Sequence, residues 1–275
     1  MKGWLAFDID GTITNNKTFI PHEVCVYFKQ LYKQGWKFVF LTGRSFAFSK
    51  SCLDCLDFDY YFSAQNGSLL LEMPSKQILL KNYLDKTALI LIGHAFEGLS
   101  GDIVISRGVE FNDVCYFRPK KIPDNFISYV QELQIRDSEI LVQVDDFEID
   151  TSTVVKCLAP LKHLRHIEER LKKLNMFEIS FLRSDPFYPT DPMLVVAKKG
   201  TSKGAALMHL VNQHERVPII AAGNDRNDAS LLDVSDVKIA MKDSPSILLE
   251  RANYIAPSVE KLGIISALRD VLRRF

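Results

Sequence analysis

Trp4-Leu5-Ala6-Phe7-Asp8-Ile9-Asp10-Gly11-Thr12 decides the fold. Its first four residues form an apolar run too short for a helix and closed by turn chemistry at Gly11, which predicts a buried strand. Residues i and i+2 project the same way while the chain stays extended, so the Asp8 and Asp10 carboxylates leave the strand's C-terminal end together. In an open α/β sheet that end is where ligands bind, and Gly11 lets the backbone depart sharply. Two adjacent carboxylates repel each other. A protein keeps them where a cation sits between them or one carboxyl is protonated, and both cases point to metal-assisted chemistry.

Outward from this stretch, buried strands alternate with amphipathic helices. A helix is expected from about Pro21, with Val24, Phe28, Leu31 and Tyr32 at helical spacing and Gly35 as its stop. Lys37 to Leu41 reads as a second strand, Phe46 to Leu56 as a helix and Tyr60-Tyr61-Phe62 as a third strand. The same grammar returns near the end. Thr201-Ser202 caps a helix to about Gln213, Pro218 to Ala222 is a strand, Asn227 to Leu232 a helix, Val237 to Ala240 a strand and Glu260 to Arg274 a last helix. This alternation predicts an α/β fold, a doubly wound (Rossmann-like) parallel-sheet core. Between these halves the texture changes to longer helical patterns and strands such as Ile140 to Val144 and Met176 to Leu182, with a hinge-like return at Asp185-Pro186 and Pro189 to Pro192. The expected organisation is a core of residues 1–83 and 190–275 carrying an inserted α+β cap domain of residues 84–189.

Composition narrows the function classes. The 275 residues are 47% apolar and 25% charged, and Lys+Arg balance Asp+Glu at 34 each, so no net basic charge draws the chain to nucleic acid or an anionic membrane. Apolar runs such as Ala88 to Ile92 and Met193 to Ala197 fall far short of the roughly 20 residues that span a bilayer. The N-terminus reads as no signal peptide, and the five cysteines as no disulfide framework, so a reducing cytoplasm is the expected compartment. Cys52-Leu53-Asp54-Cys55 lies in helical pattern with no second pair, which favours two semi-buried thiols over zinc or redox chemistry. His163 and His166 fall on a helix rich in Lys, Arg and Glu and read as a solvated face, and Gly98 to Gly108 as a turn-rich connection. Oligomeric state leaves no trace in the sequence.

Four segments in order resemble the motifs of the haloacid dehalogenase (HAD) superfamily. Asp8-Ile9-Asp10-Gly11-Thr12 resembles the first; Leu41-Thr42-Gly43-Arg44 the second, whose hydroxyl holds phosphate; Lys203 in Gly200-Thr201-Ser202-Lys203-Gly204 the third; and Gly223-Asn224-Asp225-Arg226-Asn227-Asp228 the acidic fourth. Asn66-Gly67 sits where the Cof-type branch carries Asn-Gly, and an insert between the second and third motifs is that branch's cap.

The resemblance implies a Mg²⁺-dependent phosphatase acting on a small phosphorylated metabolite, such as a sugar phosphate, through a phosphoaspartyl intermediate. Asp8 would be the nucleophile and Asp10 the general acid and base, with Lys203 neutralising nucleophile and phosphate. Thr42, Gly43, Asn66 and Asn227 would bind phosphate, and Arg44 either reaches the phosphate or a sugar hydroxyl or holds the helix start by a salt bridge. The implied metal ligands are Asp8 and Asp10 with Asn224, Asp225 or Asp228. One position departs from the family: Asn224 stands where an aspartate ligand is usual, which removes a negative charge. Two alternatives share these motifs, a phosphomutase of the phosphomannomutase type and an impaired HAD-fold binding protein.

Overall fold

The computed structural model describes all residues except 17, 137–139 and 183–191, and describes the side chains of 132–136 and 182 no further than their backbone. In chain order the first elements are β1 (Gly3–Phe7), α1 (His22–Lys33), β2 (Trp36–Leu41), α2 (Phe46–Leu53), β3 (Tyr60–Ala64), β4 (Leu69–Met73) and β5 (Gln77–Lys81). Then follow β6 (Leu84–Asp85), α3 (Lys86–His94), β7 (Asp102–Ser106), β8 (Cys115–Phe117), α4 (Asp124–Arg136), β9 (Leu141–Gln143), β10 (Thr151–Ser152) and β11 (Val154–Leu158). The chain continues through α5 (Leu161–Leu174), β12 (Phe177–Leu182), β13 (Met193–Lys198), α6 (Lys203–Val211), β14 (Ile219–Gly223) and α7 (Ala229–Asp233). It closes with β15 (Val237–Met241), α8 (Ser246–Leu249), β16 (Tyr254–Ala256) and α9 (Gly263–Val271). No helix among the described residues is long and apolar enough to cross a membrane.

The chain divides into two compact units: Met1–Arg44, Ser49–Lys81 and Ser202–Phe275 form one, and Ser45–Phe48 with Asn82–Thr201 the other. The first unit is built on an eight-stranded sheet in the order β16-β15-β14-β1-β2-β3-β4-β5. It is parallel from β16 to β3. The hairpin β4–β5 continues the sheet antiparallel. β1 lies between β14 and β2, with Ala6 opposite Ala221 and Val39. Both faces of such a strand are covered, so it reads as continuous apolar sequence rather than as an alternation. Trp4, Ala6, Val39 and Ala221 pack with Leu207 and Leu210 of α6 and Leu231 and Leu232 of α7. On the opposite face Phe7 stacks on Phe28 of α1 at 5.3 Å between ring centroids, and Phe28 lies 5.1 Å from Phe38.

The second unit carries a six-stranded sheet in the order β12-β13-β11-β7-β8-β9, antiparallel except where β8 meets β9. Ile103 and Ile105 of β7 face Ile92 of α3 and Leu164 and Leu171 of α5. Val104, pointing the other way, packs with Phe126 and Tyr129 of α4. Three expectations are corrected here. The turn-rich connection expected over Gly98 to Gly108 contains β7, an interior strand buried at every position; being covered on both faces, it lacks the polar alternation that marks a half-exposed strand. The expected return to the core at residue 190 comes at Ser202 instead, because β13 pairs with β11 and β12. The hinge-like stretch from Asp185 to Asp191 lies outside the described residues. Thirdly, Cys55 is no free thiol: it is disulfide-bonded to Cys25 of α1, while Cys52 is free and buried.

Phe38 has no exposed surface and touches rings on both α1 and β2. Phe38→Ala should destabilise the chain by about 3–5 kcal/mol, read as a lower urea midpoint, whereas Val26→Ala on the 41% exposed face of α1 should leave it within about 0.5 kcal/mol.

Candidate active site

The site residues of the first unit arise at the carboxyl ends of four neighbouring parallel strands and at one helix start. Asp8 follows β1, Thr42 follows β2, Asn66 follows β3 and Asn224 follows β14, while Lys203 opens α6. The Ser202 hydroxyl accepts from the Ala205 N–H at 3.1 Å, capping α6 as its sequence suggests.

Lys203 is 1% exposed and joins two carboxylates, its Nζ donating to Asp8 Oδ1 at 2.5 Å and to Asp228 Oδ1 at 2.6 Å. The second oxygen of Asp228 accepts the backbone N–H groups of Asn224 at 2.9 Å and Asp225 at 3.0 Å, so one buried carboxylate fixes both the lysine and the loop. Gly223 makes room for it, because a Cβ there would lie 2.4 Å from Asp228 Cβ. Burial together with the Asp228 and Asp10 charges pushes the Asp8 carboxyl up to about 7, with Lys203 opposing them. Burial by itself would lower the lysine; Asp228 and Asp8 outweigh it and hold the ammonium above its usual value.

Asp8 Oδ2 accepts the Thr12 hydroxyl at 3.1 Å, and the same hydroxyl lies 3.4 Å from Asn224 Oδ1. One small side chain thus brings the carboxylate and amide oxygens around a common point. Gly11, at φ +75°, permits this turn, and a Cβ on it would meet Asn224 Nδ2 at 2.1 Å. A cavity of about 190 Å³ opens beside Gly11 and Asn224 and is lined further by Asn15, Asp243 and Glu260.

The Arg44 guanidinium forks onto Asp10, with Nε 2.8 Å from Oδ2 and an Nη on Oδ1, an ion pair with an acidic residue of the site. The Thr42 hydroxyl accepts the Arg44 N–H at 3.1 Å and keeps its own proton for another acceptor. Asn66, in the left-handed region at φ 56°, donates its N–H to the Thr42 carbonyl at 2.8 Å and accepts from Asn227 Nδ2 at 2.9 Å. Gly43 packs beside Asn66, its missing Cβ falling 3.5 Å from Asn66 Oδ1.

The full set of metal ligands implied by the sequence is not brought together. Among the described residues no group of three or more His, Cys, Asp or Glu is arranged to hold a metal ion. Asp228 is taken by Lys203, Asp10 by Arg44, and exposed Asp225 accepts the Arg226 N–H at 2.7 Å as a cap. Asp8 and Asn224, oxygen donors gathered around the Thr12 hydroxyl, are of the kind that suits a hard cation. Burial, more than the neighbouring Asp228 and Asp10 charges, is what raises the proton affinity of Asp8. Sequence reasoning quoted Thr12 without giving it a role and missed Asp243 and Glu260. Thr12 was recoverable from its place in the motif; the two acids lie too far along the chain to be linked to Asn224 by spacing.

The haloacid dehalogenase-like hydrolase family model matches residues 5–268. A phosphoglycolate phosphatase of Haloarcula marismortui is 22% identical over 96% of this chain and 95% of its own. A haloacid dehalogenase-like hydrolase of Bacteroides thetaiotaomicron superposes with a TM-score of 0.79 at 19% identity, covering 98% of this chain and 100% of that one. A sugar phosphatase of HAD subclass IIB superposes at 0.73 with 17% identity, covering 98% of both chains. With its ordered motifs gathered at one sheet edge and the family match spanning nearly its whole length, the chain belongs to the haloacid dehalogenase-like hydrolases.

Proposed function

We propose that this chain is a phosphatase that hydrolyses a small phosphate monoester through a phosphoaspartyl intermediate on Asp8. The observation that carries the reading is the buried Lys203 ammonium on Asp8 Oδ1, a fixed positive charge beside a buried carboxylate whose other oxygen accepts a neutral hydroxyl. Phosphatase names among the relatives, including phosphoglycolate and sugar phosphatases, support the same reaction class.

In this mechanism Lys203 draws charge from Oδ1 while Oδ2 attacks phosphorus, forming the acyl phosphate and breaking the bond to the leaving oxygen. Asp10 gives that oxygen a proton, then takes one from the water that attacks the phosphoaspartate, releasing inorganic phosphate and restoring Asp8. Arg44 occupies one direction on each Asp10 oxygen, and each oxygen retains a second lone pair for this transfer. The Thr42 hydroxyl, the Lys203 ammonium and the Asn227 amide supply donors for the phosphoryl oxygens as their charge grows. Asp8 and Asn224 would hold Mg²⁺, which supplies charge neutralisation between carboxylate and phosphate. The substrate is the phosphate ester of a small metabolite.

Phosphate release across a panel of phosphorylated metabolites with Mg²⁺ tests the proposal. Wild-type turnover on at least one ester and its loss by a factor of about 10³ or more in Asp8→Asn are expected; equal rates in the two proteins would refute the nucleophile. Formation of hexose 6-phosphate from hexose 1-phosphate without free phosphate would identify a mutase. For the cation, Asn224→Asp restores a negative charge, and half-saturation should move to roughly tenfold lower Mg²⁺, about the effect of one carboxylate ligand. An unchanged midpoint would remove Asn224 from the ligand set.

A pH dependence of stability follows from the same carboxylate. Asp8 in the folded protein holds its proton up to about pH 7, whereas the unfolded chain releases it near the ordinary value of 3.8. Between these values the folded state binds the extra proton, so its contribution to stability is lost as pH rises. Metal-free Asp8→Asn should therefore gain stability relative to wild type from pH 4 to pH 7, by on the order of a few kcal/mol. Parallel denaturation curves at the two pH values check it.

A further inference from the structure

The disulfide between Cys25 on α1 and Cys55 beyond α2 takes no part in this mechanism, yet Cys55 follows the helix that begins two residues after Arg44. Its Cα atoms are 6.4 Å apart, within the ordinary span for such a bond. Cys55 is exposed to solvent and Cys25 is 8% exposed. The three other cysteines, Cys52, Cys115 and Cys157, are buried thiols, so the Cys25–Cys55 bridge is where an external thiol can enter.

Cys52 lies in the last turn of α2, which ends at Leu53, and Cys55 follows two residues beyond that end. Cys52 is fully buried, and the nearby Arg44 guanidinium opposes the rise that burial gives its thiol. Burial pushes that thiol up to about 11, so it stays protonated and acts as a packing and hydrogen-bonding group rather than a nucleophile. Arg44 in turn forks onto Asp10. A contiguous physical path therefore runs from an exposed sulfur through α2, Cys52 and Arg44 to the carboxylate that handles the proton.

We propose that Cys25 and Cys55 form a thiol–disulfide exchange site, and that the bridged state raises turnover by holding Cys52 and Arg44 in the arrangement that orients Asp10. The effect on turnover rests on the phosphatase reading above; the exchange chemistry does not. A small-molecule thiolate attacks the exposed Cys55 sulfur, the Cys25–Cys55 bond breaks, and Cys25 leaves as a thiolate and takes a proton. A second thiol resolves the mixed disulfide, so two monothiols become one disulfide while the protein gains two thiols. Oxidised monothiol drives the reverse. Once the bridge is open, the segment that follows α2 is no longer tied to α1, and Cys52 in the last turn of α2 loses part of what holds it beside Arg44.

The test equilibrates the full-length protein in glutathione buffers of graded ratio and follows alkylation by iodoacetamide with mass spectrometry. Cys25 and Cys55 should become alkylated together through one midpoint; both reacting fully at every ratio would overturn the exchange site. On an aryl phosphate, reduction should lower kcat about threefold or more with KM little changed, and reoxidation should restore it. Cys55→Ser and Cys25→Ser should sit at the reduced value and ignore the buffer. Cys52→Ala should still form the bridge but lose the kinetic response, with Cys52→Ser standing in if the alanine variant fails to fold. A response that survives in both Cys52 variants, or a wild-type kcat that is flat across the alkylation midpoint, would overturn the coupling. Failure of the phosphatase reading is distinguishable, since it gives no turnover in any redox state while the alkylation midpoint remains.

Discussion

A lysine ammonium without solvent contact is the constraint on which the candidate site depends. Taking Lys203 and two carboxylates out of water costs several kcal/mol for each ion, and the arrangement survives because the ammonium makes charge-assisted bonds of 2.5 and 2.6 Å to Asp8 and Asp228. Asp228 also accepts two backbone N–H groups of its loop, so few of its lone pairs are left unsatisfied. The result links α6, the end of β1 and the loop after β14 through one buried point of charge. Removing any member would strand the others in a low-dielectric interior. That interdependence fixes Asp8 more firmly than packing could.

Around that centre the charges are shared unequally. Arg44 satisfies Asp10 and Lys203 satisfies Asp228, while Asp8 must compete for the same ammonium from a buried position. The raised proton affinity of Asp8 comes first from its burial, with the Asp228 and Asp10 charges adding to it and Lys203 opposing them. Asn224 in place of a carboxylate leaves an amide oxygen turned toward the Thr12 hydroxyl shared with Asp8. Two cationic side chains, Lys203 and Arg44, share the three carboxylates Asp8, Asp228 and Asp10 between them.

The inserted unit is held together by a different economy. Its sheet is largely antiparallel, with α3 and α5 packed on one face and α4 on the other, and its central strands β11 and β7 are buried on both sides. Asp102, almost fully buried at the start of β7, is held by a fork from Arg118, with Nε at 2.9 Å. Such a unit supplies its own core, which is why β13 joins it rather than the parallel sheet despite an apolar sequence that would suit either.

By itself the sequence determined the doubly wound core, its strand and helix order, and the identity of Asp8, Asp10, Thr42 and Lys203 as residues of one edge. Those follow from local information: strand and helix periods, caps such as Ser202, and motif spacing tied to strand ends. Only the tertiary structure decided who pairs with whom. That Arg44 turns to Asp10, that Asp228 meets Lys203, that Thr12 joins Asp8 to Asn224 and that Cys55 finds Cys25 all depend on residues from 4 to 212 positions apart converging in space. Long-range pairing is set by how strands order themselves in the sheet and by which charges must find partners once buried, and neither leaves a mark at fixed spacing along the chain.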